Sequence, residues 1–108
     1  MLRINSDVQA MQGEVRRVCE RIRVHDPNLA TQLRRSAQSV ALNTAEGMAS
    51  QGGNRRQAYS VAAREAKECM AAIDVAARWG YTTAEPAVID RLDKIVATMW
   101  RLTMPRRQ

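Results

Sequence analysis

The sequence predicts an all-α protein, an antiparallel up-down-up-down four-helix bundle. Apolar residues recur at alternating spacings of three and four along nearly all of the 108 residues, which places an apolar stripe on one face of each helix. Glycine and proline cluster at three short breaks that leave four helical segments, and short connections favour antiparallel neighbours. The chain has no Phe and only 4% aromatic residues, although strands favour aromatic side chains.

The first helix is predicted over residues 3–24 and the second over residues 28–47. Between them, Asp26 is placed to cap the second helix, and Pro27 suits its first turn because proline lacks the amide hydrogen that would be unpaired there. The apolar stripe of the first helix comprises Ile4, Val8, Met11, Val15, Val18 and Ile22. The stripe of the second comprises Leu29, Leu33, Ala37, Val40 and Thr44.

The third helix is predicted over residues 54–79 and the fourth over residues 86–103, so that residues 1–108 form one domain. Gly47 opens the break before the third helix, and Gly80 suits the end of that helix. Thr82 and Glu85 have the spacing of a capping box ahead of Pro86. The two stripes comprise Tyr59, Ala62, Ala66, Cys69, Ile73 and Ala76, and then Val88, Leu92, Ile95, Met99 and Leu102.

These last two helices carry more apolar residues than one stripe requires. The additional rows are Ala63, Met70 and Ala77; Ala58, Val61, Ala72, Val75 and Trp79; and Ile89, Val96 and Trp100. A wide apolar face is typical of a helix with a second contact partner, so the rows predict self-association. The alternative is that alanine, a good helix former, is simply left on the surface.

The chain carries a formal charge of +6, and Lys67 and Lys94 are the only lysines among its 17 cationic residues. Arginine makes planar, bidentate contacts with phosphate, so this charge indicates an anionic partner, most simply RNA or DNA. The alternative is a solvated, arginine-rich surface. No groove-reading motif is present, so we expect no sequence specificity. The aromatic rings are few and we expect packing to occupy most of them, so stacking on single strands is not expected. The candidate contacts are Arg16, Arg17, Arg23, Arg55, Arg56, Arg106 and Arg107.

No pattern of catalytic or metal-ligating residues accompanies this charge. His25 is the single histidine, and we expect it in a solvated turn. Cys19 and Cys69 are expected to be buried free thiols on helices too offset for a disulfide. The sequence therefore predicts a protein that is not an enzyme, with no metal and no cofactor. No apolar run is long enough to cross a membrane, and we expect a cytoplasmic protein.

A polar row on the second helix is the remaining unusual feature. Arg35, Ser39, Asn43 and Glu46 share one face, although serine and asparagine are poor residues for a helix interior. The row is interpreted as a packing or assembly network rather than an active site. The alternative is a solvated edge of the helix.

Residues 32–47 also carry a family resemblance. They read QLRRSAQSV, then NTAEG after two intervening residues, and end on Gly47. This run resembles the signature of a four-helix-bundle family encoded in intervening sequences of bacterial 23S ribosomal RNA genes, which includes the accessory variability determinant proteins of diversity-generating retroelements. Gly80 and Tyr81 match the residues at which the third helix ends in that family. Arg64 and Glu65 depart from it, because the family often has glycine and serine there.

The resemblance implies a homopentamer of four-helix bundles. In the retroelement branch it also implies binding of nucleic acid and of a reverse transcriptase through a basic surface. We therefore consider two candidate functions. The first is a basic oligomeric protein that binds nucleic acid or serves as an adaptor for a nucleic-acid enzyme, and the second is a structural or protein-interaction module that binds no nucleic acid.

Overall fold

Four helices account for nearly all of residues 3–104, the part of the chain that the computed structural model describes. They are α1 (Arg3–Arg23), α2 (Pro27–Ala49), α3 (Gly52–Arg78) and α4 (Pro86–Thr103), and these residues contain no strand. Each helix packs on the next one along the chain, and α4 returns to α1. The bundle measures 49 × 21 × 20 Å. The all-α, four-helix prediction is confirmed.

The apolar stripes predicted from helical spacing meet in the centre of the bundle. Every stripe residue of α1 and α3 is buried, as are those of α2 except the half-buried Leu29. In α4, Leu102 is exposed and not buried as expected, because it lies in the last turn of the helix, beyond the reach of the neighbouring stripes. Cys69 is buried and Cys19 half-buried, and both are free thiols.

The connection between α2 and α3 is shorter than predicted, because Gly47 does not end α2. The helix continues to Ala49, and α3 begins at Gly52. Gly47 is buried, and a Cβ placed on it would lie 2.5 Å from Cε1 of Tyr59. The glycine therefore allows the ring of Tyr59 to pack directly on the backbone of α2, so its role is close packing rather than helix termination.

The connections between α1 and α2 and between α3 and α4 follow helix-capping rules, except that the predicted cap of α4 is wrong. Asp26 caps α2 as predicted, and its Oδ1 accepts a hydrogen bond from the amide of Leu29 at 3.0 Å. Gly80, at φ 75°, ends α3 in a Schellman motif in which the amide of Tyr81 bonds to the carbonyl of Ala76 at 2.9 Å.

The predicted capping box at residues 82–85 does not form, because Glu85 itself occupies the cap position of α4. Its carboxylate instead accepts hydrogen bonds from the hydroxyl groups of Thr82, at 2.8 Å, and Thr83. The same carboxylate forms an ion pair with Arg21 of α1 at 2.7 Å. This ion pair ties the connection between α3 and α4 to the end of α1.

The helices α1 and α4 touch least among the neighbouring pairs, and ion pairs span the seam between them. Arg91 of α4 donates to Asp7 at 2.9 Å and to Glu14 at 2.7 Å, both on α1. One guanidinium thus bridges two turns of the facing helix.

Most of the additional apolar rows are used inside the bundle. Met70 and Ile89 pack against the core, where α3 meets α4, and Ala63, Ala72 and Val96 are buried. The apolar surface that remains exposed is therefore smaller than the sequence indicates. The large apolar side chains that are exposed are those of Val24, Leu42, Val75, Trp79, Trp100, Leu102 and Met104.

Candidate nucleic-acid interface

Three arginines converge on a groove between α1 and α2. Arg16 and Arg23 belong to α1 and Arg34 to α2, and together they line a groove of about 440 Å³. The groove continues toward the middle of the bundle as a second depression of about 300 Å³, which shares Arg16 and Arg34. From Gln12 to Arg23, this surface extends roughly 16 Å along α1.

Small side chains on the facing surfaces of the two helices leave room for this groove. Ala30 and Ala37 of α2 lie beneath it, and Cys19 of α1 directs its thiol at the carbonyl of Ala30, 3.6 Å away. Deeper in, the side-chain amide of Gln12 donates to the carbonyl of Ala37 at 2.8 Å. Burial raises the pKa of the Cys19 thiol and outweighs the opposing charge of Arg34, so the thiol is neutral and does not offset the positive charge of the groove.

Like most arginines in residues 3–104, the groove arginines form no ion pair, and they are set apart by lining one groove together. Arg21, Arg78 and Arg91 each form an ion pair. Within residues 3–104, Arg16, Arg23 and Arg34 form none, and Glu20 is the one acidic residue that lines the groove. All three arginines are solvent-exposed. Their guanidinium groups are therefore available to an anion, and bidentate bonding to phosphate matches their geometry.

The structure does not bring all seven sequence-predicted contacts together. Arg17 is exposed but does not line the groove. Arg55 and Arg56 open α3 at the opposite end of the bundle, roughly 30 Å from Arg23 along the helix axis. There Nε of Arg55 donates to the carbonyl of Gly47 at 3.1 Å, which caps the end of α2. Arg106 and Arg107 lie outside the described residues.

The polar row of α2 faces outward in the single chain. Arg35 and Glu46 are exposed, while Ser39 and Asn43 are half-buried. The side-chain amide of Asn43 donates to the carbonyl and the hydroxyl of Ser39, at 2.9 and 3.1 Å. The row is thus not a buried network of the bundle itself, and an assembly role for it stays a prediction. The exposed Leu42 lies on the same face.

An aromatic row lies at the end of the bundle where α1 and α3 finish. The rings of His25 and Tyr81 stack with centroids 5.1 Å apart and planes within 4°. Trp79 follows, 6.4 Å from Tyr81. The expectation that packing occupies the aromatic rings holds for the buried Tyr59 but is wrong for Trp79, which is 72% exposed. Because Trp79 ends α3, the last turn of the helix carries the ring beyond the core.

Sequence reasoning missed Arg34 and this aromatic row as parts of the candidate interface. Arg34 stands beside Arg35 in the sequence, and only the position of the neighbouring α1 decides which of the two lines the groove. No helix in residues 3–104 is long and apolar enough to cross a membrane. No cluster of three or more potential metal ligands occurs in that range.

Comparisons with known proteins place the fold. The profile of the 23S rRNA-intervening sequence protein family matches residues 3–101. A solved structure of a protein of unknown function, from the S23 ribosomal protein family of Bacteroides thetaiotaomicron, superimposes with a TM-score of 0.85 at 15% sequence identity. The superposition covers 94% of this chain and 99% of that one. No curated protein sequence matches.

Proposed function

The chain belongs to the 23S rRNA-intervening sequence protein family, and on this basis we propose that it binds the phosphodiester backbone of RNA or DNA through the groove between α1 and α2. The observation that carries the proposal is the set of three exposed arginines, Arg16, Arg23 and Arg34, that line one groove without an ion pair in the described residues. Phosphate is the ligand that such a set satisfies best. The protein has no catalytic role in this proposal.

Binding through these arginines is expected to be independent of base sequence. The groove presents guanidinium groups, which reach phosphates, and no element of the bundle resembles a helix that reads a major groove. Affinity then arises mainly from counterion release, and it falls steeply as salt is added.

Self-association would extend this proposal. We propose a homo-oligomer, five copies in line with the family resemblance, joined through the outward face of α2 that holds Leu42 and the polar row. Each chain carries +6, so five copies would multiply the charge and the number of grooves on one particle. Such a particle would serve as an adaptor that holds nucleic acid for a nucleic-acid enzyme, a reverse transcriptase among them.

A matched pair of triple variants tests the groove. In the first, Arg16, Arg23 and Arg34 are each changed to Gln. In the second, Arg64, Lys67 and Arg101, which are exposed outside the groove, are changed to Gln, so both variants lose the same charge. Fluorescence anisotropy with labelled RNA and DNA, from about 50 mM salt upward, measures affinity and salt dependence.

The groove variant is expected to bind at least about tenfold more weakly and to reduce the log–log salt slope by roughly three, about one for each lost phosphate contact. The control should lose much less affinity, and both variants should keep the helical circular-dichroism signal. Equal losses in the two variants would show that only net charge matters. No binding of wild-type protein at low salt would leave the second candidate, a structural or protein-interaction module.

A further inference from the structure

We propose that the aromatic row formed by His25, Tyr81 and Trp79 stacks on unpaired bases, so that the protein prefers single-stranded nucleic acid whose phosphates lie in the arginine groove. This inference rests on the proposed function and deepens it, since it names the form of nucleic acid that the same surface accepts. It depends on three observations: the exposure of Trp79 and His25 on either side of the half-buried Tyr81, the position of Arg23 and the rings at the same end of the bundle, and the contacts that engage the nearby acidic side chains.

Trp79 offers a free aromatic face. It is 72% exposed, and the bundle gains nothing from keeping an indole ring in water. Tyr81 and His25 hold the row in order, because their rings stack in parallel across the end of the bundle. Aromatic rings placed along a basic surface are the usual platform for bases of single strands, since every base has a π face.

The row and one end of the groove lie at the same end of the bundle. Arg23 lines the groove as the last residue of α1, and His25 follows two residues later in the connection to α2. Val24, between them in the sequence, is 80% exposed. A strand whose phosphates contact Arg23 would therefore present its next bases to the end of the bundle, where the rings lie.

The acidic side chains near the row are already engaged. Glu85 is paired with Arg21, Asp74 is paired with Arg78, and Asp26 accepts the amide of Leu29 at the start of α2. These contacts reduce the repulsion that unpaired carboxylates would exert on a phosphate backbone. A base-paired duplex gains less here, because its bases are stacked on one another and their faces are not available to a side chain.

The test compares oligo(dT), oligo(U) and a DNA duplex of equal length as binding partners of the whole chain. Wild-type protein is expected to bind both single strands about tenfold more tightly than the duplex. Trp79→Ala should remove that preference while leaving duplex affinity and the salt slope unchanged, because the indole neutralises no phosphate. The matched control is Trp100→Ala, on α4, which should leave all three affinities unchanged.

Tryptophan emission gives a second readout. Trp79 and Trp100 are the two tryptophans of the chain, so Trp100→Phe leaves Trp79 as the single reporter. Oligo(dT) should quench its emission with the same midpoint as the anisotropy titration, whereas the duplex should quench it little.

The outcomes separate this inference from the proposed function. If duplex and single strands bind equally and Trp79→Ala binds like wild type, stacking is overturned while backbone binding stands. If the groove variant binds as wild type does, the proposed function fails instead. If Trp79→Ala lowers the oligomer mass in light scattering, Trp79 is a subunit contact, and stacking is overturned.

Discussion

Gly47 occupies a position where α2 passes against the ring of Tyr59. A methyl group there would lie 2.5 to 2.9 Å from three ring atoms, which is closer than carbon atoms approach in folded proteins. Because Tyr59 is itself buried in the core, the ring has little room to retreat. The glycine of the NTAEG run is thus explained by close packing between α2 and α3.

Gly47→Ala is expected to lower the free energy of unfolding by about 1–3 kcal/mol, because the cost of overpacking exceeds the better helix propensity of alanine. Gly13→Ala is the matched control. It makes the same change inside α1, where a Cβ meets no atom within 4 Å, and it should stabilise by about 0.5–1 kcal/mol. Denaturant midpoints measure both, and stabilisation by both changes would contradict the packing argument.

Arginines illustrate what the sequence can predict at this scale and what it cannot. Helical spacing correctly predicted that Arg16 and Arg23 lie outside the core of α1, because period alone decides which face is buried. It could not separate Arg34 from Arg35, since the partner helix determines which side becomes a groove. It also missed that Arg55 caps the carbonyl of Gly47, because helical spacing does not specify contacts between the end of α2 and the start of α3.

Among the structural elements, the connection between α3 and α4 depends on one carboxylate. Burial acts to raise the pKa of Glu85, but hydrogen bonds from Thr83, Thr82 and Arg21 together hold the pKa below its usual value of 4.5. The folded state therefore binds the proton less readily than the unfolded state does. The stability this group contributes is fully present above about pH 4.5, and it is lost as pH falls through the lower, folded-state pKa.

Glu85→Gln should consequently destabilise the protein at about pH 7 and destabilise it less at about pH 3, because the stability that the ionised carboxylate contributes is lost as pH falls from 4.5 through the lowered folded-state pKa. Urea denaturation of both proteins at the two pH values measures the effect. Glu20→Gln serves as the control, because Glu20 makes no ion pair in the described residues. A difference between wild type and Glu85→Gln that is the same at both pH values would show that the hydrogen-bonded carboxylate is not its cause.

The elements themselves were more predictable than their ends. Four apolar stripes at helical spacing identified four helices and most of their buried residues, because a 3.6-residue period leaves little choice of inner face. Glycine was less informative, since it serves either as a helix end, as at Gly80, or as a packing contact, as at Gly47. The choice depends on the facing helix, which local sequence does not specify.

At the scale of the whole molecule, the exposed apolar surface is confined to a few large side chains. Leu42 is 71% exposed on the outward face of α2, in the midst of the polar row. The side chains that the sequence put forward for self-association, Met70 and Ile89 among them, pack mostly within the bundle. Assembly is therefore expected to use α2 rather than the rows of α3 and α4.

Light scattering coupled to size exclusion tests this assembly. Wild-type protein is expected at about five times the chain mass of 12.1 kDa, and Leu42→Glu should shift it toward a single chain by placing a charge in the interface. Ala10→Glu, on the exposed face of α1, is the control and should leave the mass unchanged. A wild-type mass near that of one chain at micromolar concentration would refute self-association.

The charged seam between α1 and α4 has a consequence for the rate at which the bundle opens. Its two ion pairs join residues 84 and 77 positions apart, whereas the other helix contacts join neighbours in the chain. Local pairs form early in folding and distant pairs late, because closing a long loop costs more entropy. Arg91→Gln should therefore speed unfolding and leave the folding rate almost unchanged in stopped-flow measurements. A folding rate that slows in proportion to the lost stability would mean that α4 docks on α1 before the helices that are neighbours in the chain have finished packing.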